Sequence, residues 1–350
     1  MLQQLAGRCG PWLVGDGPES DIVVSTRIRL ARNLAQFPFV RRCSPQDRAA
    51  IEKTIRDRFQ NVEQLRQLIY IDVDELSDVD RQFLMERQLI SRELAEGTGQ
   101  RGVAIDPDER FSVMVNEEDH LRIQVMASGL NPQVAWEQIN AIDDLIGQQV
   151  VYAFHRRLGY LTACPTNVGT GMRVSIMIHL PAMVMTEEIQ RVFRSFQKMG
   201  LAVRGLYGEG TQPRGDFYQI SNQITLGRSE KELIDQVVEV ARVCIQWERR
   251  AREALLRSND KSVQDAISRA YAILQTTHTI SSEETMELLS RVRMGVSLGL
   301  IEDVPITVLN KLFIHTQPAH LQKIRGIRLD TSDRNVERAS YLKEHLAKQR

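Results

Sequence analysis

DIVVSTRIRLARN, residues 21–33, alternates its side chains with a period of two. Ile22, Val24, Thr26, Ile28 and Leu30 fall on one side, and Val23, Ser25, Arg27 and Arg29 on the other. That is the pattern of a β-strand with one face for a core. The opposite face carries two guanidiniums two residues apart, and residues 25–33 contain no acid. Charges so placed repel each other unless an anion sits between them.

The pattern recurs twice. ERFSVMVNEEDHLRIQVMA (109–127) reads as two strands around an acidic turn, with Phe111, Val113, Val115, Leu121, Ile123 and Val125 as one apolar set. GMRVSIMIHLP (171–181) sets Val174, Ile176, Ile178 and Leu180 against Arg173, Ser175, Met177 and His179. Such strands suit an antiparallel sheet packed on one face and open to a ligand on the other. TEEIQRVFRSFQKMG (186–200) predicts a helix begun at Thr186 and stopped at Gly200.

From Ser229 the sequence turns helical. A Ser229/Glu232 capping box opens a long amphipathic helix. Further helices are expected near 261–275, from Ser281, near 305–314, and from about Asp333 with its cap at Ser332 or Asp333. The expected fold class is α/β (α+β): a largely antiparallel sheet flanked by helices over residues 1–256, then an all-helical C-terminal domain over 257–350.

The 350 residues, 42% of them hydrophobic, suffice for a sizeable core. Lys and Arg number 45, as do Asp and Glu, so no overall field draws nucleic acid or an anionic membrane. Direct nucleic-acid and membrane binding are not expected. No apolar run approaches the roughly 18 residues of a membrane helix, and MLQQLAGRCGPWLVGDG lacks the apolar core of a secretion signal. The four cysteines show no metal-ligand spacing. A reduced, cytoplasmic setting is expected.

Anion recognition must therefore be local. Arg27 with Arg29, Arg122, Arg173 and Arg204 come from four strand-like stretches, and guanidinium forks match phosphate oxygens in pairs. Together they suggest a polyphosphate cradle. It is not of the Walker or protein-kinase type, since GxxxxGK[ST] and the GxGxxG, Lys and DFG set are absent. Carboxylates at NEEDH (116–120), including Glu118, and at Glu209 in GLYGEGT (205–211) could bind a cation, hold Mg2+ or act as a base; NEEDH could equally be a solvated turn. Cys164, before Pro165 at the end of an apparent strand, reads as a small buried hydrophobe in isolation and as a favoured thiolate beside guanidiniums.

Taken in order, STRIRLARN, NEEDHLRI, CPTNVGTGMRVSIMIHLP, RGLYGEGT and ISNQITLG resemble the phosphagen (guanidino) kinase family over roughly residues 20–250. The arginine-bearing strand begins near residue 21, without the N-terminal helical domain of the arginine and creatine kinases, and the glycine loop reads GEGT rather than GEHT. With the helical tail, these features resemble the bacterial protein arginine kinases within that family. The resemblance implies ATP and Mg2+ as cofactors and arginine side chains of proteins as phosphoryl acceptors. It implies contacts to ATP from Ser25, Thr26, Arg27, Ile28, Arg29, Arg122, Arg173, Val174, Ser175, Ile176, Met177, Arg204, Gly205, Leu206, Tyr207 and Gly208. Gln88 stands where the family often has His.

The same resemblance gives Glu118 and Glu209 the grip on the substrate guanidinium and places the Cys164 thiol beside them. In the tail, Arg334, Asn335, Arg338 and Ala339 resemble an allosteric phosphoarginine motif, RDxxRA, with Asn335 where the motif has Asp. Implied partners are proteins with exposed arginine, the Clp protease machinery that degrades marked proteins in the stress response, a heat-shock repressor and an activator protein. The tail helices offer a homodimer contact. Two other functions fit these residues: a kinase of free arginine or another small guanidino compound, and a phosphoarginine-binding adaptor with little catalysis.

Overall fold

The structure, a computed structural model, describes residues 2–205, 215–257 and 261–347. Among the described residues the ten strands are β1 (Val23–Arg32), β2 (Ile69–Asp72), β3 (Gly102–Ile105), β4 (Phe111–Val115), β5 (Leu121–Ser128), β6 (Phe154–His155), β7 (Gly159–Tyr160), β8 (Met172–His179), β9 (Leu201–Gly205) and β10 (Phe217–Asn222). Eight of these form one antiparallel sheet in the order β2-β3-β4-β5-β1-β8-β10-β9, while β6 and β7 make a separate hairpin. The opening stretch of the sequence is thus a central strand, paired on both sides.

Alternation decides the two faces. Ile28, Leu30, Ile123, Val125, Val174, Ile176 and Ile220 point to one side and are almost wholly buried. The helices Pro132–Gly147 and Glu230–Arg257 lie against that side, and Ile51, Ile55 and Phe59 of helix Pro45–Gln60 join the same core. Seven such buried side chains contribute on the order of 10 kcal/mol of apolar burial.

The other face is covered at its ends, and in its middle Arg27, Arg29, Arg122 and Arg173 stay partly exposed. Over β3 and β4, Val103, Ile105 and Met114 meet Phe83, Leu84, Leu89 and Leu94 in a second core. At the far end of β8 and the near end of β10, Met177 and Phe217 lie beneath Trp12, Phe313 and Ile314. His179, at the end of β8, is buried against Ser290 and Arg293 of helix Ser282–Ser297. The helical C-terminal region therefore docks on the sheet.

Helix ends test the local readings. Ser229 and Glu232 exchange the two bonds of a capping box, at 3.3 and 2.7 Å, and Ser281 accepts from the Glu284 amide at 3.1 Å. Gly200 follows the helix Ile189–Lys198 with φ 74°. That helix does not start at Thr186. Thr186 closes a short helix, Pro181–Met185, and its hydroxyl donates to the Ala182 carbonyl at 3.0 Å. The final helix is Thr331–Ala347, and its cap is Asp330, whose carboxylate accepts from the Asp333 amide at 2.8 Å, rather than Ser332 or Asp333. Pro318–Arg325 forms a helix outside the stretches expected to be helical.

Candidate active site

Strand register brings the arginines together. Arg29 of β1 sits opposite Gln124 of β5 and Arg173 of β8, and Arg27 sits opposite Ser175. Arg122 lies two residues from Gln124, on the same face. Beyond β8, Ser221 faces Ser175 and Gln219 faces Arg204 of the edge strand β9. All five arginines predicted to bind phosphate thus emerge on the open face, each partly exposed.

Their charges are only partly answered. Arg122 pairs with Glu117, which also accepts from the Ser91 hydroxyl and, at 2.9 Å, from the Glu118 amide. Burial would raise the Glu117 carboxyl, yet Arg122 and these donors hold it below the usual range. Arg27 donates instead to neutral amides, to Gln88 Oε1 at 3.0 Å and to Gln219. Arg173 donates to the Ser221 hydroxyl at 3.0 Å.

Arg29 Nε is buried without a hydrogen-bond partner among the described residues. Burial and the neighbouring guanidiniums of Arg122 and Arg173 pull Arg27 down to about 9. Burial and Arg27, Arg122 and Arg173 push Arg29 well below its ordinary value. Crowded cations with an unspent donor fit a polyphosphate. The nucleotide of the resemblance would find its counter-charge here, held by Arg27, Arg29, Arg122, Arg173 and Arg204.

Not every residue predicted near the phosphates presents its side chain to them. Ile28, Val174 and Ile176 point into the core, as period two requires, and Met177 lies under the C-terminal helices. Thr26 is a structural tie: its hydroxyl donates to the Gly129 carbonyl at 2.7 Å and accepts from the Asn131 amide at 2.9 Å. Ser25 and Ser175 are buried in the ladder. Gly205 ends β9. Leu206, Tyr207, Gly208 and Glu209 lie outside the described residues.

The acidic turn joins β4 to β5, with Asn116 at φ 58°. Glu118 is half-exposed, and burial, with Asp119 and Glu117 beside it, raises its carboxyl above the ordinary value. Asp119 fixes this turn to the next loop by accepting from the Asn33 amide group and from the Ala163 amide, both at 2.6 Å. Cys164 follows directly. It precedes a short 3-10 turn, Pro165–Asn167, rather than ending a strand, and its thiol is partly exposed, 3.0 Å from the Thr166 hydroxyl. The structure thus brings Cys164 to the neighbourhood of Glu118 through Asp119.

The glycines beyond Cys164 serve close approach. At Gly169 (φ 117°) a Cβ would lie 2.8 Å from the Thr225 carbonyl oxygen, and at Gly171 (φ 65°) 2.6 Å from that of Ala31. Arg32 holds the same loop, donating to the Thr170 carbonyl at 2.9 Å and pairing with Asp143 at 2.7 Å.

Three residues of the face escaped the sequence reading. Gln219 and Ser221 alternate with Tyr218 and Ile220 in FYQISN, a signal of the same period two. Gln124 donates to the Gln88 carbonyl, and its signal is its place two residues after Arg122.

In the tail, Arg334 and Arg338 share a helix but differ in setting. Arg334 donates to the Leu329 carbonyl at 2.9 Å and to the Thr331 hydroxyl. Arg338 is 1% exposed and donates to the carbonyls of Thr316 and Ile280 and to Asn335 Oδ1 at 2.7–2.9 Å. Ala339 is fully buried. A phosphoarginine ligand at this face would have to displace those partners.

Comparison with known proteins gives the family. The family profile described as ATP:guanido phosphotransferase, C-terminal catalytic domain, matches residues 50–251, and that of the Protein-arginine kinase McsB C-terminal domain matches residues 260–350. The chain is 45% identical over 339 residues to the protein-arginine kinase of Symbiobacterium thermophilum and 43% identical over 335 residues to that of Halothermothrix orenii. In both cases 96% of each chain is covered. Among solved structures it is similar to the duplicated taurocyamine kinase of Schistosoma mansoni with bound transition state analog components, with a TM-score of 0.61 and 27% identity over 67% of this chain and 34% of that one. Lombricine kinase shares the fold, with a TM-score of 0.59 and 24% identity over 70% of each chain.

The chain belongs to the ATP:guanido phosphotransferase family, in its protein-arginine kinase branch. It is a kinase, and ATP is the donor that its family uses. No helix among the described residues is long and apolar enough to cross a membrane.

Proposed function

We propose that the enzyme transfers the γ-phosphoryl group of MgATP to arginine side chains of proteins. The observation that carries this reading is the set of arginines gathered on one sheet face, with Arg27 and Arg29 lacking an ion-pair partner among the described residues, beside a turn that presents Glu118. The protein-arginine kinases similar along 96% of the chain support the protein acceptor.

Phosphoryl transfer asks for alignment and neutralised charge. Arg27, Arg29, Arg122, Arg173 and Arg204 hold the phosphates. Glu118 and Glu209 orient the planar guanidinium, with Cys164 alongside. A new N–P bond forms as the bond from the γ-phosphorus to the bridging oxygen breaks, and the proton leaving the guanidinium goes to a carboxylate. Glu118 suits that task because its raised carboxyl has a stronger hold on a proton.

By the resemblance, the modified arginines mark proteins for a Clp protease during stress in the cytoplasm, and a heat-shock repressor and an activator protein are partners. Arg334, Asn335, Arg338 and Ala339 read phosphoarginine, and the tail helices pair two copies of the chain. Incubation with MgATP and an unfolded polypeptide, free arginine being offered in parallel, should give acid-labile phosphate on protein arginine. Phosphate on the free amino acid alone would replace this reading with a small-guanidino kinase. An absence of turnover on both would leave an adaptor.

A further inference from the structure

Glu86, Arg87 and Gln88 follow one another at the end of the helix Asp78–Glu86 and reach in three directions. Glu86, 1% exposed, turns to the C-terminal region. Its carboxylate accepts from the Ala319 amide at 3.1 Å and the His320 amide at 2.8 Å, capping the helix Pro318–Arg325. Arg87, also buried, donates to His320 Nε2 at 2.8 Å, to the Arg8 carbonyl at 3.2 Å and to Glu109 at 2.7 Å. His320 stacks on His315, which bonds the Tyr341 hydroxyl at 2.8 Å, so the last helix belongs to the same cluster. Gln88 faces the sheet. Its side chain accepts from Arg27, and its carbonyl accepts from Gln124.

Gln88 has φ 63°. A non-glycine residue holds that conformation, at a cost of order 1 kcal/mol, only where its surroundings leave no alternative. Here those surroundings are the anchored residues 86 and 87 on one side and Gln124 on the other. The left-handed turn aims Gln88 Oε1 at Arg27 Nη1, and so orients a guanidinium whose other hydrogen bond among the described residues goes to Gln219.

We propose that Glu86 and Arg87 are positioning residues for the nucleotide, through which the helical C-terminal region fixes the turn at Gln88 and thereby the phosphate grip of Arg27. This rests on Arg27 being a phosphate ligand. Neither Glu86 nor Arg87 touches the phosphates; each acts through its neighbour.

The test is a set of MgADP dissociation constants, measured by calorimetry on the full chain. Glu86→Ala and Gln88→Ala should each weaken MgADP by about tenfold, within the usual range of coupling between sites. Their combination should be no weaker than the worse single variant by more than about twofold, because both break one linkage. Glu86→Gln, which keeps an acceptor for the Ala319 and His320 amides, should restore affinity to within about twofold of the parent. At saturating MgATP, kcat of Glu86→Ala should stay within about threefold, so that the loss falls on KM.

Arg27→Ala distinguishes the two levels of the argument. If it weakens MgADP while Glu86→Ala does not, the positioning role is wrong and the phosphate site stands. If Arg27→Ala binds like the parent, both fall. Fully additive losses in the double variant also overturn the proposal. Hydrogen exchange on the unaltered protein gives a reading free of folding defects. Saturating MgADP should slow exchange at the Ala319 and His320 amides, since coupling is reciprocal, and unchanged exchange there would refute it.

Discussion

Arginines in two regions of this protein are treated in opposite ways. In the C-terminal region, Arg293 is wholly buried and donates to the carbonyls of Ser20 and Asp21, to His179 Nδ1 and to Asn310 at 2.7–3.3 Å. Its donors are spent on fixed acceptors, and it stitches helix Ser282–Ser297 to the turn that leads into β1 and to the end of β8. On the sheet face, among the described residues, Arg27 donates to amides and Arg29 keeps an unused Nε. Burial alone therefore does not mark a binding site. What marks one is donor capacity left unspent among like charges.

Replacing one arginine in each region tests the contrast. Arg29→Met should lower kcat/KM by about 10³-fold or more, the scale set by arginines that stabilise transferring phosphate. Its melting temperature should hold or rise, because one of several crowded cations is gone. Arg293→Met should do the reverse. It strands several buried acceptors, each costing about 1–3 kcal/mol, so a stability loss of about 3 kcal/mol or more is expected. Turnover well below the melting point should change by less than about threefold. If Arg29→Met melts low and Arg293→Met loses turnover, the division between the two regions is false.

The same contrast exists at smaller scale in the acidic turn. Glu117 is spent on Arg122 and Ser91, whereas Glu118, among the described residues, pairs with the exposed Arg41, 3.7 Å away, and has a raised carboxyl. Glu118→Gln should cut kcat by about 10²-fold or more while MgADP affinity is kept. Activity needs the ionised carboxylate, so it should fall as pH drops through a raised value. The acid limb of the kcat profile then lies above the ordinary glutamate range in the parent enzyme and vanishes in the variant. A limb that survives Glu118→Gln would move the proton acceptor elsewhere.

How much of this was legible differed with the range of the interaction. Period two in STRIRL and GMRVSIMIHLP placed Arg27, Arg29 and Arg173 on one face, because alternation is local and the register of paired strands preserves it there. Between Val23 and Ser25 the register shifts, and the alternation expected for DIVV is broken. The caps at Ser229 and Ser281 were legible for the same reason. Thr186 misled because the residues before it form a helix of their own, which makes it an end rather than a beginning. Alternation also cannot say what covers a face. Met177 shares the arginine parity yet lies beneath Phe313 and Ile314, more than a hundred residues away in the chain. Gln88 is quieter still, since its role depends on a backbone angle and on partners from β1 and β5. Nor did neighbouring acids reveal which one Arg122 would take; that choice is made by how the turn folds back on β5.

Arg338 stands between the two kinds of arginine, and the smallest effect expected here exploits that. Its donors reach the Thr316 and Ile280 carbonyls, as in Arg293, and in both burial with a neighbouring arginine lowers the guanidinium, Arg338 to about 10 and Arg293 to about 9. The geometry is satisfied and the charge is not. The third acceptor is Asn335 Oδ1 at 2.7 Å, a neutral group where a carboxylate would make a charge-assisted bond. Asn335→Asp should therefore stabilise the protein by about 1 kcal/mol, with further help from its place early in the helix Thr331–Ala347. For a chain of this size that is a rise of about 2 °C in melting temperature. The gain should fade as pH falls through the aspartate range, because protonation removes the new charge while leaving an acceptor behind. A variant that melts like the parent at neutral pH would mean that the carbonyls already answer the Arg338 charge in full. Arg338 would then belong wholly with Arg293, as a joint with nothing left to offer an anion.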